Sequence, residues 1–203
     1  MLAPMRVAFY GDLNCPFCFA TNERLHTLGL ADKVEWRGLQ HEPYLPIPAQ
    51  PTDRSTRELV EEIDRLRARA PDIEIRVPSF RPNSGPATAL LAVLNRSRPR
   101  LARALRRVTF RALWLESKDI SQREVLEAAL DEVGGRWPTW SSPASLLAQW
   151  QEEWEQGPFD RRIPAIQTRS GGLHLGLQDP EALNALFEHD RNAAANDDVC
   201  QPR

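Results

Sequence analysis

Three cysteines in 203 residues are too few for a disulfide scaffold. A chain of this length buries about 70% of its unfolded surface and needs no such staples. No run approaches the ~18 consecutive apolar residues of a membrane-crossing helix. The opening stretch MLAPMRVAFYGD has neither the basic start nor the long apolar core of a signal peptide. An excess of one charge is also missing: 26 basic against 28 acidic residues leave a net charge of −2. That balance excludes a general nucleic-acid binder and a polybasic membrane binder. Lysine is scarce, with only Lys33 and Lys118 among the many arginines. No repeat and no low-complexity block is present. What remains, 41% apolar and 27% charged, is a soluble globular composition for one domain, with or without a large insertion. The expected address is the cytoplasm, where thiols stay reduced. Two close cysteines there point to chemistry or metal.

The patterning begins with a short apolar run, residues 5–11, which predicts a strand ending at Gly11. Asp12 to Asn14 read as a turn, and 15–28 as a helix using Phe19, Leu25 and Leu28. Residues 33–40 alternate through Val34 and Trp36, as a second strand does. This β-α-β unit is long enough for a parallel crossover. Pro43, Pro46, Pro48 and Pro51 then mark a loop. The next hundred residues are helical in pattern. Ser55-x-x-Glu58 and Ser121-x-x-Glu124 read as capping boxes, and Ser142-Pro143 as an N-cap followed by an N1 proline. Residues 163–168 and 172–176 flank Ser170-Gly171 as a hairpin. Asp179-Pro180 opens a last helix, and the Asn/Asp-rich residues 191–203 read as a flexible tail. The order predicts an α/β domain, 1–45 with 159–190, and a helical insertion, 46–158, with its own packing.

Chemistry concentrates in Cys15-Pro16-Phe17-Cys18, between a strand and a helix. A cysteine at a helix N-terminus meets unpaired N–H groups and the positive dipole end, which favour its thiolate. Such surroundings bring a thiol pKa from ~8.5 into the range of roughly 3.5–7.5. The i, i+3 spacing brings the second sulfur within disulfide reach. Pro16 loses nothing in the first turn, where its N–H would have no partner. Phe17 adds apolar surface suited to apolar substrates. The alternatives are half of a zinc site or two inert core thiols. Zinc needs two more ligands, and Cys200, His26, His41, His174 and His189 show no second knuckle spacing. No metal is therefore expected.

The strand, Asp12, the CPFC helix, VEWRGLQHEP, the helical segment with RPNSGPATAL, then RIPAI and GLQDPEALNALF together resemble the DsbA-like branch of the thioredoxin superfamily. The likeness is to its FrnE-type and 2-hydroxychromene-2-carboxylate isomerase-type members and spans residues 5–190. It implies a thioredoxin fold with a large helical insertion and a thiol–disulfide oxidoreductase. Cys15 would be the exposed nucleophile, Cys18 the buried resolving thiol, and Pro164 a cis-proline facing them. Cis bonds are a minority of X–Pro bonds, about 5–6%. Ile163 would present its backbone to an extended substrate, Pro16 and Phe17 would touch it, and Asn83 would line a glutathione or substrate pocket. Arg162 stands where many relatives have Gly and would bring a positive charge near the sulfurs, or point to solvent. Phe9 stands where DsbA has a buried acid, which leaves the proton relay of some relatives without its group. The isomerases carry serine in place of the nucleophile, so the two cysteines favour redox chemistry.

The expected partners are protein or small-molecule thiols and disulfides, acting on a monomer or homodimer. No cofactor is expected beyond the redox-active disulfide, with glutathione as a candidate co-substrate. A glutathione-dependent isomerase or transferase, and a redox sensor linked through Cys200, are the alternative readings. Asp12 is a turn residue or a charge at the rim of the site. His26 and His41 are surface or half-buried groups, although a histidine near the thiolate would lower its pKa. Trp114, Trp150 and Trp154 are core residues, while Trp137 and Trp140 form a candidate contact patch.

Overall fold

The computed structural model describes residues 6–139 and 142–199, with side chains through residue 193. Strand β1 (Val7–Gly11) leads into helix α1 (Pro16–Thr27) and strand β2 (Val34–Gly38). Five helices follow: α2 (Asp53–Arg69), α3 (Gly85–Ser97), α4 (Pro99–Trp114), α5 (Arg123–Glu132) and α6 (Ala144–Gln156). Strands β3 (Ala165–Gln167) and β4 (Leu173–Leu175) and helix α7 (Pro180–Val199) close the chain. The sheet order is β2-β1-β3-β4. β1 runs parallel to β2, with Phe9 opposite Trp36 and Gly11 opposite Gly38. It runs antiparallel to β3, which pairs with β4 as the predicted hairpin.

β1 is buried on both faces, so its apolar run is nearly unbroken. Val7 and Phe9 enter one cluster, while Ala8 and Tyr10 enter another with Trp150, Trp154 and Phe159. The first cluster also holds Leu59, Ile63, Leu90, Phe110, Leu113 and Trp114. The helical segment therefore does not pack separately, as its length suggested. It shares one core with the sheet, and Trp36 and Phe110 meet edge to face at 5.8 Å.

Several helix boundaries differ from their sequence signals. α2 begins earlier, and its capping box is Thr52 with Ser55, so the Ser55–Glu58 pair lies inside the helix. The extended backbone of Thr52 after Pro51 sets that start. Gln122 caps α5 without a side-chain bond. Asp119 instead takes the Ser121 N–H at 2.9 Å and the Ala49 N–H at 2.8 Å. α6 begins one residue later than Ser142-Pro143 signals, with Pro143 at the N-cap position, although Ser142 accepts the Ala144 N–H at 3.3 Å. α3 and α4 break at Arg98, because Pro99 can begin a helix but cannot continue one. α7 continues to Val199, through most of the segment read as a tail. Trp114, Trp150 and Trp154 are core residues as expected. Trp137 is half-buried against the main core, with the Arg123 guanidinium 4.8 Å from its ring, and so is no free contact patch. Trp140 and Cys200 lie outside the described residues.

Gly11 marks a close approach in this core, next to the cysteines. A Cβ there would meet Trp36 Cη2 at 2.8 Å and Cys18 Sγ at 3.0 Å. Gly11→Ala should lower stability by about 1–3 kcal/mol through overpacking, read as a reduced midpoint in urea with unchanged slope.

Candidate active site

The turn between β1 and α1 is held at every residue. The Asp12 carbonyl accepts the Cys15 N–H at 3.1 Å. The Leu13 carbonyl accepts Trp114 Nε1–H at 3.0 Å, and the Asn14 carbonyl accepts Arg81 Nη1–H at 3.2 Å. Arg81 is itself buried and paired with Glu62 at 2.9 Å. Two long-range anchors from the helical segment thus fix the backbone that delivers Cys15. Cys15 is the N-cap of α1, with extended backbone, and Pro16 starts the helix. Its sulfur sits at the helix end where orphan N–H groups and the dipole favour negative charge.

Asp12 is fully buried and its carboxylate is bonded on both oxygens. Oδ1 accepts the Asn14 N–H at 3.0 Å, while Oδ2 accepts the His41 N–H at 3.0 Å and bonds His41 Nδ1 at 2.7 Å. Burial opposes the charge on Asp12, but the bond to His41 and its charge overcome that and hold the carboxyl below its usual range. Burial likewise opposes protonation of His41. The bond to Asp12 and the charges of Asp12, Cys15 and Glu42 prevail and lift it to about 9. The His41 side chain is 31% exposed, so solvent softens but does not remove the effect.

The two thiols are free and unlike one another. Cys15 is 7% exposed and Cys18 0%. Cys15 is therefore a nearly covered sulfur rather than the exposed one expected. Burial raises its pKa, but the Cys18 thiol donating to it and the His41 charge lower it below the ordinary value, against the Asp12 charge. For Cys18 burial leads, and the bond to Cys15 and the Cys15 charge add to it, so its pKa stands well above the ordinary value.

Cys15, Pro16, Phe17 and Ile163 line one cavity of about 530 Å³, joined by His41, Glu62, Arg65 and Arg69. The Arg69 guanidinium lies 6.0 Å from the Phe17 ring centroid. The Ile163–Pro164 bond is cis, as is Ile47–Pro48. Pro164 is buried and its carbonyl accepts the Gly176 N–H at 2.8 Å. Of the other expected residues, Cys18 and Pro164 are buried and do not line this cavity, and neither do Asn83 and Arg162. Asn83 gives Nδ2 to the Pro43 and Leu45 carbonyls at 3.2 and 2.7 Å, and its Oδ1 accepts from Gln40 and Gly85. Its amide is thus spent on holding the loop before α2 and the start of α3. Arg162 points to solvent, 67% exposed, and its nearest acid is Asp160 at 3.8 Å. His26 is not beside the thiolate either. Burial and then Arg107, Arg106 and Arg103 lower its pKa to about 4. Among the described residues no group of three or more His, Cys, Asp or Glu could hold a metal. The residues missed are Glu62, Arg65 and Arg69, which α2 brings over the cysteines, and the strength of the His41 coupling.

The family model of the DSBA-like thioredoxin domain matches residues 6–136. No curated protein matches the chain. Among solved structures, a probable DsbA oxidoreductase from Streptomyces coelicolor is similar, with TM-score 0.73 at 19% identity, covering 93% of this chain and 90% of that one. The cytosolic disulfide reductase DsbM from Pseudomonas aeruginosa has TM-score 0.69 at 15% identity, covering 93% of this chain and all, 100%, of that one. DsbM is also known with GSH bound, where the TM-score is 0.65. A 2-hydroxychromene-2-carboxylate isomerase has TM-score 0.55 at 18% identity, covering 97% and 100%. At such identities the likenesses show the fold alone.

The His41 contribution is measurable in two ways. His41→Asn keeps a donor for Asp12 but removes the cation. It should raise the pH midpoint of Cys15 alkylation by about one unit, and lower the reduction potential by up to about 30 mV, since the reduced thiolate form loses support. Linkage sets the sign for stability. A raised histidine pKa stabilises fully below its unfolded value near 6.5, and that support is lost as pH rises through about 9. Wild-type denaturation midpoints should therefore fall between pH 6.5 and 9, by roughly 1–2 kcal/mol, and this slope should be absent from His41→Asn.

Proposed function

The chain belongs to the DSBA-like thioredoxin domain family, and from that premise we propose that it is a thiol–disulfide oxidoreductase working through Cys15 and Cys18. The observation that carries the reading is the split between two adjacent thiols. The one that lines the cavity has a lowered pKa, and the fully buried one has a raised pKa.

In the reducing direction, the Cys15 thiolate attacks one sulfur of a substrate disulfide. A Cys15–substrate disulfide forms and one substrate thiolate leaves. The Cys18 sulfur then attacks Cys15 Sγ, releasing the second substrate sulfur, which takes the Cys18 proton. Two electrons pass from the dithiol to the substrate, and the reverse sequence oxidises a substrate dithiol. His41, paired to Asp12, steadies the thiolate whenever Cys15 is released. Ile163, next to the cis Pro164, forms the wall along which the substrate chain lies, and Phe17 gives that wall apolar surface. The proposed address is the cytoplasm; among the described residues no helix is long and apolar enough to cross a membrane.

Arg65 and Arg69 stand one turn apart over the same cavity, without a carboxylate partner within ion-pair distance among the described residues. They favour a substrate carrying carboxylates, and glutathione is the proposed small-molecule co-substrate. A glutathione-dependent isomerase or transferase is the second reading that this cavity supports. It requires glutathione binding and an activity that survives Cys18→Ser.

The test is a titration in glutathione redox buffers, with the Cys15–Cys18 state read by alkylation and mass spectrometry. A reversible intramolecular disulfide is expected. Cys15→Ser should reduce exchange to background, and Cys18→Ser should accumulate mixed disulfides at Cys15. Full turnover by Cys15→Ser would overturn the oxidoreductase reading. Absence of glutathione binding at millimolar concentration in calorimetry would overturn the second.

A further inference from the structure

Arg106, on α4, is 3% exposed. Its Nε donates to Asn22 Oδ1 at 2.8 Å, and its guanidinium carbon lies 5.2 Å from the Trp36 ring centroid. Its Nη2 is buried and has no hydrogen-bond partner. No carboxylate among the described residues forms an ion pair with it. Glu23, the acid on the facing helix α1, is already held by Arg107 at 3.1 Å and Arg111 at 3.6 Å. The neighbours add charge of the same sign. Burial first, and then Arg103, push the Arg106 pKa down to about 9. His26 Nε2 is likewise buried without a partner in this arginine cluster.

A buried cation with neither solvent nor counter-charge is strongly disfavoured. Arg106 borders a small cavity shared with Arg103, Arg6, Asn95, Trp36 and Ala102, whose volume is about 10 Å³. That is room for one small, roughly spherical occupant. Three arginines bordering so small a space make a field that selects negative charge. The volume selects against an oxyanion such as phosphate, whose oxygens would not fit together with its centre. Asn95 and the edge of α4 contribute no acid.

We propose that the cavity between α4 and the Trp36 face of β2 binds one small monovalent inorganic anion of the halide class, with chloride as its ordinary occupant and Arg106 as its principal ligand. Arg103 and Arg6 border the cavity beside Arg106 and complete the positive surround. The site is separate from the cysteines and does not depend on the oxidoreductase reading.

The experiment uses the full chain in gluconate buffer at constant ionic strength, titrated with sodium chloride. The readouts are the chlorine-35 NMR linewidth and the folding equilibrium in urea. Saturable line broadening is expected, together with a folding constant that rises ~100-fold when chloride stands at a hundred times its Kd. Both effects should vanish in Arg106→Met, which keeps an apolar stem over Trp36. Should that variant not fold, Arg103→Gln serves, with chloride affinity reduced severalfold. Non-saturating broadening in the wild type would overturn the proposal. So would saturable broadening that survives the arginine substitutions, or equal displacement by inorganic phosphate.

Discussion

A carboxylate buried in a turn has to be matched by donors, and Asp12 sets the terms for everything around the cysteines. Its two oxygens draw in the Asn14 N–H from its own turn and both the backbone and the ring of His41 from beyond β2. The first bond shapes the turn that ends in Cys15. The second pair ties the end of the neighbouring strand to that turn and places a cation beside the sulfur. One interaction thus serves geometry and electrostatics together. It works because β1 and β2 are parallel and in register up to Gly11 and Gly38, so residues 12 and 41 leave the sheet at the same end.

The helical segment contributes to the same end from the other side. Trp114 and Arg81 hold successive carbonyls of the turn, from positions far along the chain. Each is a buried polar group using its bond capacity on backbone that belongs to no regular ladder. α2 supplies Glu62, which partners Arg81, and Arg65 and Arg69, which roof the cavity. The segment between β2 and β3 is consequently part of the site as well as part of the core. That explains why Trp36 touches Phe9, Phe110 and Arg106 at once.

The order of elements was legible in the sequence because its signals are local: a continuous apolar run for β1, a period-two run for β2, the proline cluster after them, and Ser170-Gly171 between β3 and β4. Cys15 and Cys18 were legible for the same reason, since their spacing and their place between strand and helix are both short-range. Where the Asn83 amide bonds was not legible, because its position within a family-like stretch says nothing of its partners in the loop before α2. The Ser–x–x–Glu patterns at 55 and 121 failed as boundaries because Thr52 and Asp119 offered the backbone better-placed acceptors. His41 carried no local signal. Its coupling to Asp12 spans 29 positions and requires the strand register. Arg65 and Arg69 needed the tertiary placement of α2, which the amphipathic pattern of that helix leaves undetermined.

The difference between the two sulfurs follows from competing terms of opposite sign. Burial disfavours the thiolate at both positions. Cys15 is the N-cap of α1 and receives the helix end, the Cys18 donor and the His41 charge. Cys18 lies within the first turn, and the same hydrogen bond that supports its neighbour's charge opposes its own. The Asp12 charge acts against ionising both thiols, so its direct effect is unfavourable to the site it organises. Its indirect effect, keeping His41 protonated up to about pH 9, offsets that. A pair arranged in this way ionises one sulfur at a time. The proposed sequence of attack and resolution requires that order, since two adjacent thiolates would repel and two neutral thiols would not react.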